Sequence, residues 1–249
     1  MELSTGMLFP FDVSDASFGK AYFDAVTSKA PTLTPIRCGN TEPLTQVFSD
    51  KPLDEILAEY WEDMFLWKSS RSKTAGIWSM GAGKRHSSLF IYGAVKSLDP
   101  RPFIELYKTL AKPFAPVDFG YVHLLTDAEW NACRANAREV LSPFNSGIGT
   151  AHLSRCIPNL PWGAVFGSAY ISLIGLDRLL SAPAPVVERW AEDLIYVQVT
   201  ENINDLVSSY EDFDIKRNAI KAHLGDNLFF RPGSSSGQMV APEFNLAVR

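Results

Sequence analysis

The sequence predicts an α+β fold: a mixed or antiparallel sheet with packed helices, arranged as two halves of similar style. Three observations predict it. Helix-spaced and strand-alternating segments are interspersed, without the strict strand–helix–strand order of a parallel sheet. Several strand candidates stand in pairs joined by short turns, as antiparallel hairpins do. Hydrophobic residues make up 46% and charged residues 20% of the 249 residues, enough apolar mass for a sizeable core.

Taken in order, the first helix is predicted over Ser14–Lys29, where Phe18, Ala21, Tyr22, Ala25 and Val26 recur at helical spacing. Thr32–Cys38 reads as extended between Pro31 and Pro35. Lys51-Pro52 opens a second helix with Leu53, Ile56, Leu57 and Tyr60 on one stripe. Trp61–Trp67 fits a helix or a strand equally well. Ala75–Met80 and Ser87–Val95 read as the two strands of a hairpin turning at residues 81–85. Asp99 and Pro100 suit the N-cap and first position of a third helix, with Phe103, Leu106, Tyr107 and Leu110 inward.

Val117–Leu125 is rich in aromatic and β-branched residues and reads as a strand. Thr126 and Glu129 have capping-box spacing and open a helix to about Leu141. Pro143–Gly149 is the expected boundary between an N-terminal half, 1–142, and a C-terminal half, 150–231. In the second half, Leu160–Gly163 leads into Val165–Gly167. A short helix follows over Ser168–Ile174, stopped by Gly175, and another turn over Asp177–Leu180. Val186–Trp190 and Leu194–Thr200 read as strands around a polar turn, and Glu211–Leu224 as the last helix, ended by Gly225. Residues 232–249 show no periodicity and read as a flexible tail.

The composition excludes several classes. No apolar run reaches the length of a membrane span, and a pI of about 5.4 argues against binding nucleic acid through a bulk positive field. Cys38, Cys133 and Cys156 are odd in number and widely spaced, against a disulfide framework or a structural zinc site. The N-terminus has no signal-peptide pattern, and a reducing cytoplasm is the expected compartment.

Motifs that carry chemistry are weak. Gly81-Ala82-Gly83-Lys84-Arg85 departs from a phosphate loop, having Trp78 where the first glycine belongs and Arg85 where Ser or Thr belongs. Gly233–Gly237 matches GxSxG literally, but no histidine follows it and no helix pattern succeeds it. His86, His123, His152 and His223 make no metal-ligand spacing and read as surface or satisfied core residues; Glu129 reads as a capping or solvated residue. Nothing asks for a catalytic residue, a cofactor or a metal.

One charge feature stands out. Glu188, Glu192, Asp193, Glu201, Asp205, Glu211, Asp212 and Asp214 are opposed within their stretch by Arg189 alone, which leaves the rest of the chain slightly basic. A run of solvated turns explains it. So does an acidic surface that steers a basic partner.

The stretch from Leu160 to Phe230 resembles the C-terminal part of a bacterial immunity-protein family of type VI secretion and polymorphic toxin systems. The pieces that carry the resemblance are Trp162, Gly175–Leu180, Val197–Glu201 and Lys221–Phe230, about a third of the chain. The resemblance implies a protein without enzymatic activity that binds and neutralises a cognate secreted antibacterial toxin, by blocking its active site or holding it inactive. It implies a toxin acting in the cytoplasm, best a nuclease, whose basic cleft an acidic surface would complement. Neither nucleic acid nor a membrane is expected as a direct partner. The competing readings are a small hydrolase or transferase whose site is assembled from distant residues, and an adaptor of the secretion machinery.

Overall fold

The architecture turns on the first nine residues. In a computed structural model, which describes residues 1–81, 84–96, 98–135, 147–233 and 238–246, β1 (Glu2–Phe9) lies in the interior of a sheet of ten strands. β1 pairs on one side with β6 (Ser87–Ala94) and on the other with β7 (Phe119–Leu125), both antiparallel. All but the first of its residues are buried. A strand covered on both faces shows no polar alternation, which is why ELSTGMLF carries little strand signal. Gly6 sits under two rings: a Cβ there would lie 2.7 Å from Tyr121 and 2.9 Å from Phe90.

Outward from β6 come β5 (Ala75–Ser79), β4 (Met64–Lys68), β2 (Arg37–Gly39) and the short edge β3 (Gln46–Val47). Outward from β7 come β8 (Gly163–Phe166), β10 (Leu194–Gln198) and the edge β9 (Val186–Ala191). Every pairing is antiparallel, so the predicted α+β class with an antiparallel sheet holds. The sheet does not stop at the expected boundary. β7 pairs with β8, and one continuous core runs through both halves. A hydrophobic sheet edge left at β7 would expose unpaired N–H and C=O groups, and β8 covers it.

Helices α1 (Ala16–Lys29), α2 (Leu53–Tyr60) and α3 (Arg101–Leu110) pack together, and α1 and α3 lie on the sheet face that carries Thr5, Met7 and Phe9. There Tyr22 meets Trp67 and Trp78 edge-on or tilted, and Phe9 stacks on Trp78. The Tyr107 hydroxyl meets Thr5 Oγ1 across the same face. The opposite face, with Phe119, Tyr121 and His123, receives α6 (Ser168–Ile174) through Tyr170 and α9 (Tyr210–Leu224) through Arg217. Shorter helices complete it: α4 (Asp127–Ala135), α5 (Thr150–Leu153), α7 (Leu176–Leu180) and α8 (Asp205–Ser208).

Several boundaries move by a residue or two. Asp15 caps α1, its carboxylate accepting the Ser17 N–H at 2.8 Å. Asp15→Ala is expected to lower stability, read as a lower urea midpoint. Pro52 and Pro100 stand at the N-cap rather than the first helical position, so both helices start one residue later than expected. The ambiguous Trp61–Trp67 divides: Trp61 ends α2, its indole donating to the Val13 carbonyl at 2.9 Å, and Met64–Lys68 is strand. The predicted helix to Leu141 is described only to Ala135; residues 136–146 lie outside the described residues, as do Ala82, Gly83 and Ser234–Gly237 of the two glycine motifs.

The tail corrects an expectation. Of 232–249, residues 238–246 return to the body: Val240 and Phe244 pack against the core, and the Val240 N–H donates to the Asn227 carbonyl at 2.9 Å. Apolar burial outweighs the missing periodicity that suggested mobility. Among the described residues, no helix is long and apolar enough to cross a membrane.

Candidate functional site

The acidic residues predicted from sequence are divided by β10, whose five residues span about 16 Å. Glu192 and Asp193 form the β9–β10 turn at one end, where the Arg189 guanidinium bonds the Glu192 carbonyl. Glu188 lies on the edge strand β9, and Lys108 of α3 donates to it at 2.9 Å, joined by the Trp190 indole at 3.0 Å. The Lys108 contact holds the Glu188 carboxyl below its usual range. Asp214 pairs with the buried Arg217 and accepts from Asn218 at 2.9 Å.

Glu201, Asp205, Glu211 and Asp212 remain together at the other end, around α8 and the first turn of α9. Among the described residues their carboxylates make no ion pair. The corner also exposes two large apolar side chains, Val207 at 50% and Ile215 at 68%. Ile215 follows Glu211 by four residues and Asp212 by three, so the three share one face of α9. The exposed Lys216 follows Asp212 by four residues on the same helix.

A buried polar network anchors this corner. Glu129 is only 2% exposed. It completes the predicted capping box, accepting the Thr126 N–H at 3.0 Å while Thr126 Oγ1 accepts the Glu129 N–H at 3.1 Å. It is therefore a cap, but not a solvated one. Arg217 Nη1 lies 3.8 Å from it, and Arg217 Nη2 donates to the Tyr210 hydroxyl at 3.0 Å. His123 Nε2 stands 3.8 Å away, and His123 Nδ1 accepts the Trp162 N–H at 3.1 Å. Burial alone would push the Glu129 carboxyl up. The His123 imidazole, the Thr126 amide and the Arg217 guanidinium outweigh it and bring it down to about 2. The network ties α9 to α4 and β7, so the acidic corner sits on a fixed base.

A second constellation joins residues far apart in sequence. His86 precedes β6, Asp118 precedes β7 and Thr150 opens α5. β6 and β7 both run antiparallel to β1, so their starts lie at the same end of the sheet. His86 Nε2 is 3.0 Å from Asp118 Oδ2, and His86 Nδ1 is 2.9 Å from Thr150 Oγ1. The His86 main-chain N–H also donates to Thr150 Oγ1, at 3.0 Å. The His86 side chain is fully enclosed, and Phe244 of the returning tail meets its ring edge-on at 4.7 Å. A cleft of about 580 Å³ opens on the Asp118 side, and one of about 380 Å³ on the Thr150 side; Pro242 lines both.

His86 fits the expectation of a satisfied core histidine, but the expectation did not include its partners. The signal that could have joined them was the assignment of β1, which brings the starts of β6 and β7 together. Among the described residues, no group of three or more His, Cys, Asp or Glu side chains has the arrangement to hold a metal ion. No protein-family model matches the chain, and no curated protein is significantly similar to it.

Proposed function

We propose that the chain is an immunity protein that binds and neutralises a secreted antibacterial toxin acting in the cytoplasm, with a nuclease as the best toxin class. The resemblance over Leu160–Phe230 motivates the reading. One observation supports it on this chain: the consecutive helices α8 and α9 and the loop before them carry two exposed apolar side chains, Val207 and Ile215, and four carboxylates without ion-pair partners among the described residues. An apolar centre with a charged rim is the anatomy of a protein-binding patch. Unpaired carboxylates raise the encounter rate of a basic partner. A nuclease is such a partner, because its cleft must attract a polyanion.

The docking surface proposed is therefore Glu201, Asp205, Glu211 and Asp212 around Val207 and Ile215. Glu188 and Asp214 contribute less, because each already pairs within the fold. Glu192 and Asp193 lie at the far end of β10 and would need a partner broad enough to reach both ends.

Co-expression with the toxin encoded beside this gene should restore growth and yield a co-purifying complex. Replacing Glu201, Asp205, Glu211 and Asp212 together by Lys should slow association at least tenfold and flatten its dependence on salt. Unchanged affinity and unchanged salt dependence would remove this corner from the interface; no rescue and no complex would sink the immunity reading itself.

A further inference from the structure

With the imidazole neutral, the hydrogen bonds around His86 assign its proton. Asp118, as a carboxylate, can only accept, so Nε2 carries the imidazole proton toward it. Nδ1 is then a bare lone pair 2.9 Å from Thr150 Oγ1. That oxygen already spends one lone pair on the His86 main-chain N–H, and its single proton remains for Nδ1. The order is hydroxyl, base, orienting carboxylate, the arrangement by which an alcohol is made nucleophilic.

A satisfied histidine that ties β6, β7 and α5 would show the same distances. Three further observations go beyond a tie. The constellation stands between two clefts, with Asp118 lining one and Thr150 the other. Its roof is a near-terminal segment whose backbone, from Val240 to Leu246, makes one main-chain hydrogen bond to the rest of the protein among the described residues. The roof is thus held chiefly by the side chains of Val240 and Phe244. Behind it, the Tyr170 hydroxyl is buried without a hydrogen-bond partner among the described residues, and its ring lies 6.0 Å from Phe244. Burial, and then the charge of Asp118, push that phenol upward, so it stays a protonated donor. An unspent buried donor near Asp118 and Phe244 is a group that a substrate oxygen would reach once Phe244 moves aside.

We infer that Thr150, His86 and Asp118 form a hydrolytic site for small carboxylic esters bearing a negative charge, closed by Phe244 of the C-terminal segment. Lys84 and Arg85 line the Thr150 cleft and supply the preference for an anionic substrate. Thr150 Oγ1 attacks the ester carbonyl carbon as its proton passes to His86 Nδ1. The bond to the leaving alcohol breaks, and His86 returns the proton to that alcohol. Water then attacks the acyl–Thr150 ester, giving up a proton through His86, and releases the free acid and the Thr150 hydroxyl. The inference does not rest on the toxin-binding reading, which concerns the α8–α9 corner.

The test uses the full chain, 4-nitrophenyl acetate as the neutral ester and 4-nitrophenyl hemiglutarate as the anionic one. Phe244→Ala should hydrolyse the anionic ester at least tenfold faster than the unaltered chain. Adding Thr150→Val should return the rate to that of buffer, and Thr150→Ser should keep it. Lys84→Ala with Arg85→Ala should raise KM at least fivefold more for the anionic ester than for the neutral one. Because Phe244→Ala could loosen the fold, a second measurement uses the unaltered protein: prolonged incubation with a fluorophosphonate, then peptide mass spectrometry. An adduct on Thr150 supports the inference. No adduct there, together with hydrolysis that survives Thr150→Val or is absent throughout, overturns it and leaves His86 a structural tie.

Discussion

Arg217→Met is expected to lower the unfolding free energy by about 3–5 kcal/mol, because it removes the buried guanidinium shared by Glu129, Asp214 and the Tyr210 hydroxyl. The side chains of Arg217 and Glu129 are 4% and 3% exposed, so water cannot take over the lost contact. Methionine keeps much of the volume beside Phe213, whose ring lies 5.1 Å from the guanidinium, so the loss reports charge more than cavity. Adding Glu129→Gln should recover part of it, since Gln can still accept the Thr126 N–H while carrying no charge. Urea denaturation of the two single variants and the double measures the coupling. A loss below about 1 kcal/mol in Arg217→Met would show that the network contributes little.

The same carboxylate makes a pH prediction with a definite sign. Its folded pKa is depressed from 4.5 to about 2. Its contribution is therefore fully present above about pH 4.5 and is lost as the pH falls through about 2. The shift corresponds to about 3 kcal/mol. Stability of the unaltered chain should fall through this window, and Glu129→Gln should flatten that part of the profile. Parallel profiles would assign the acid sensitivity to other carboxylates.

Gly167→Ala is expected to cost about 3 kcal/mol or more, because the clash it creates is with backbone. A Cβ at Gly167 would lie 1.7 Å from the Val117 carbonyl oxygen and 2.8 Å from its carbon. No rotamer relieves that contact, so the chain leaving β8 must separate from the chain entering β7. The Gly167 N–H donates to the Asp118 carbonyl at 3.0 Å, and the movement would displace Asp118 from His86 as well. Gly149→Ala is the control. Among the described residues nothing lies within 4 Å of an added Cβ there, and a loss of under about 1 kcal/mol is expected. Thermal melts of the two should differ widely; equal losses would mean that the β7–β8 junction yields.

Much of the fold was legible in local pattern. The Phe18–Val26 stripe, the Thr126–Glu129 capping box and the paired strands at 75–95 and 186–200 report interactions within a few residues of one another, and these segments fold as expected. β1 was not legible, because burial on both faces erases alternation and Gly6 weakens strand propensity. The candidate sites suffered in proportion. The acidic run is a single feature in sequence, but β10 carries the chain about 16 Å between its parts, so Glu192 and Asp193 are separated from the acids that follow β10.

The sequence by itself determined the α+β class, the antiparallel hairpins, most helix starts and the concentration of acidic charge, since each depends on periodicity, caps or composition read over a short window. The tertiary structure alone decided that β1 divides β6 from β7, that Arg217 neutralises Glu129, that the tail returns over His86 and that Thr150 reaches a base presented 64 residues earlier. These are contacts between segments with no local signature. Their partners are selected when the whole chain must bury its apolar faces and satisfy its polar groups at once.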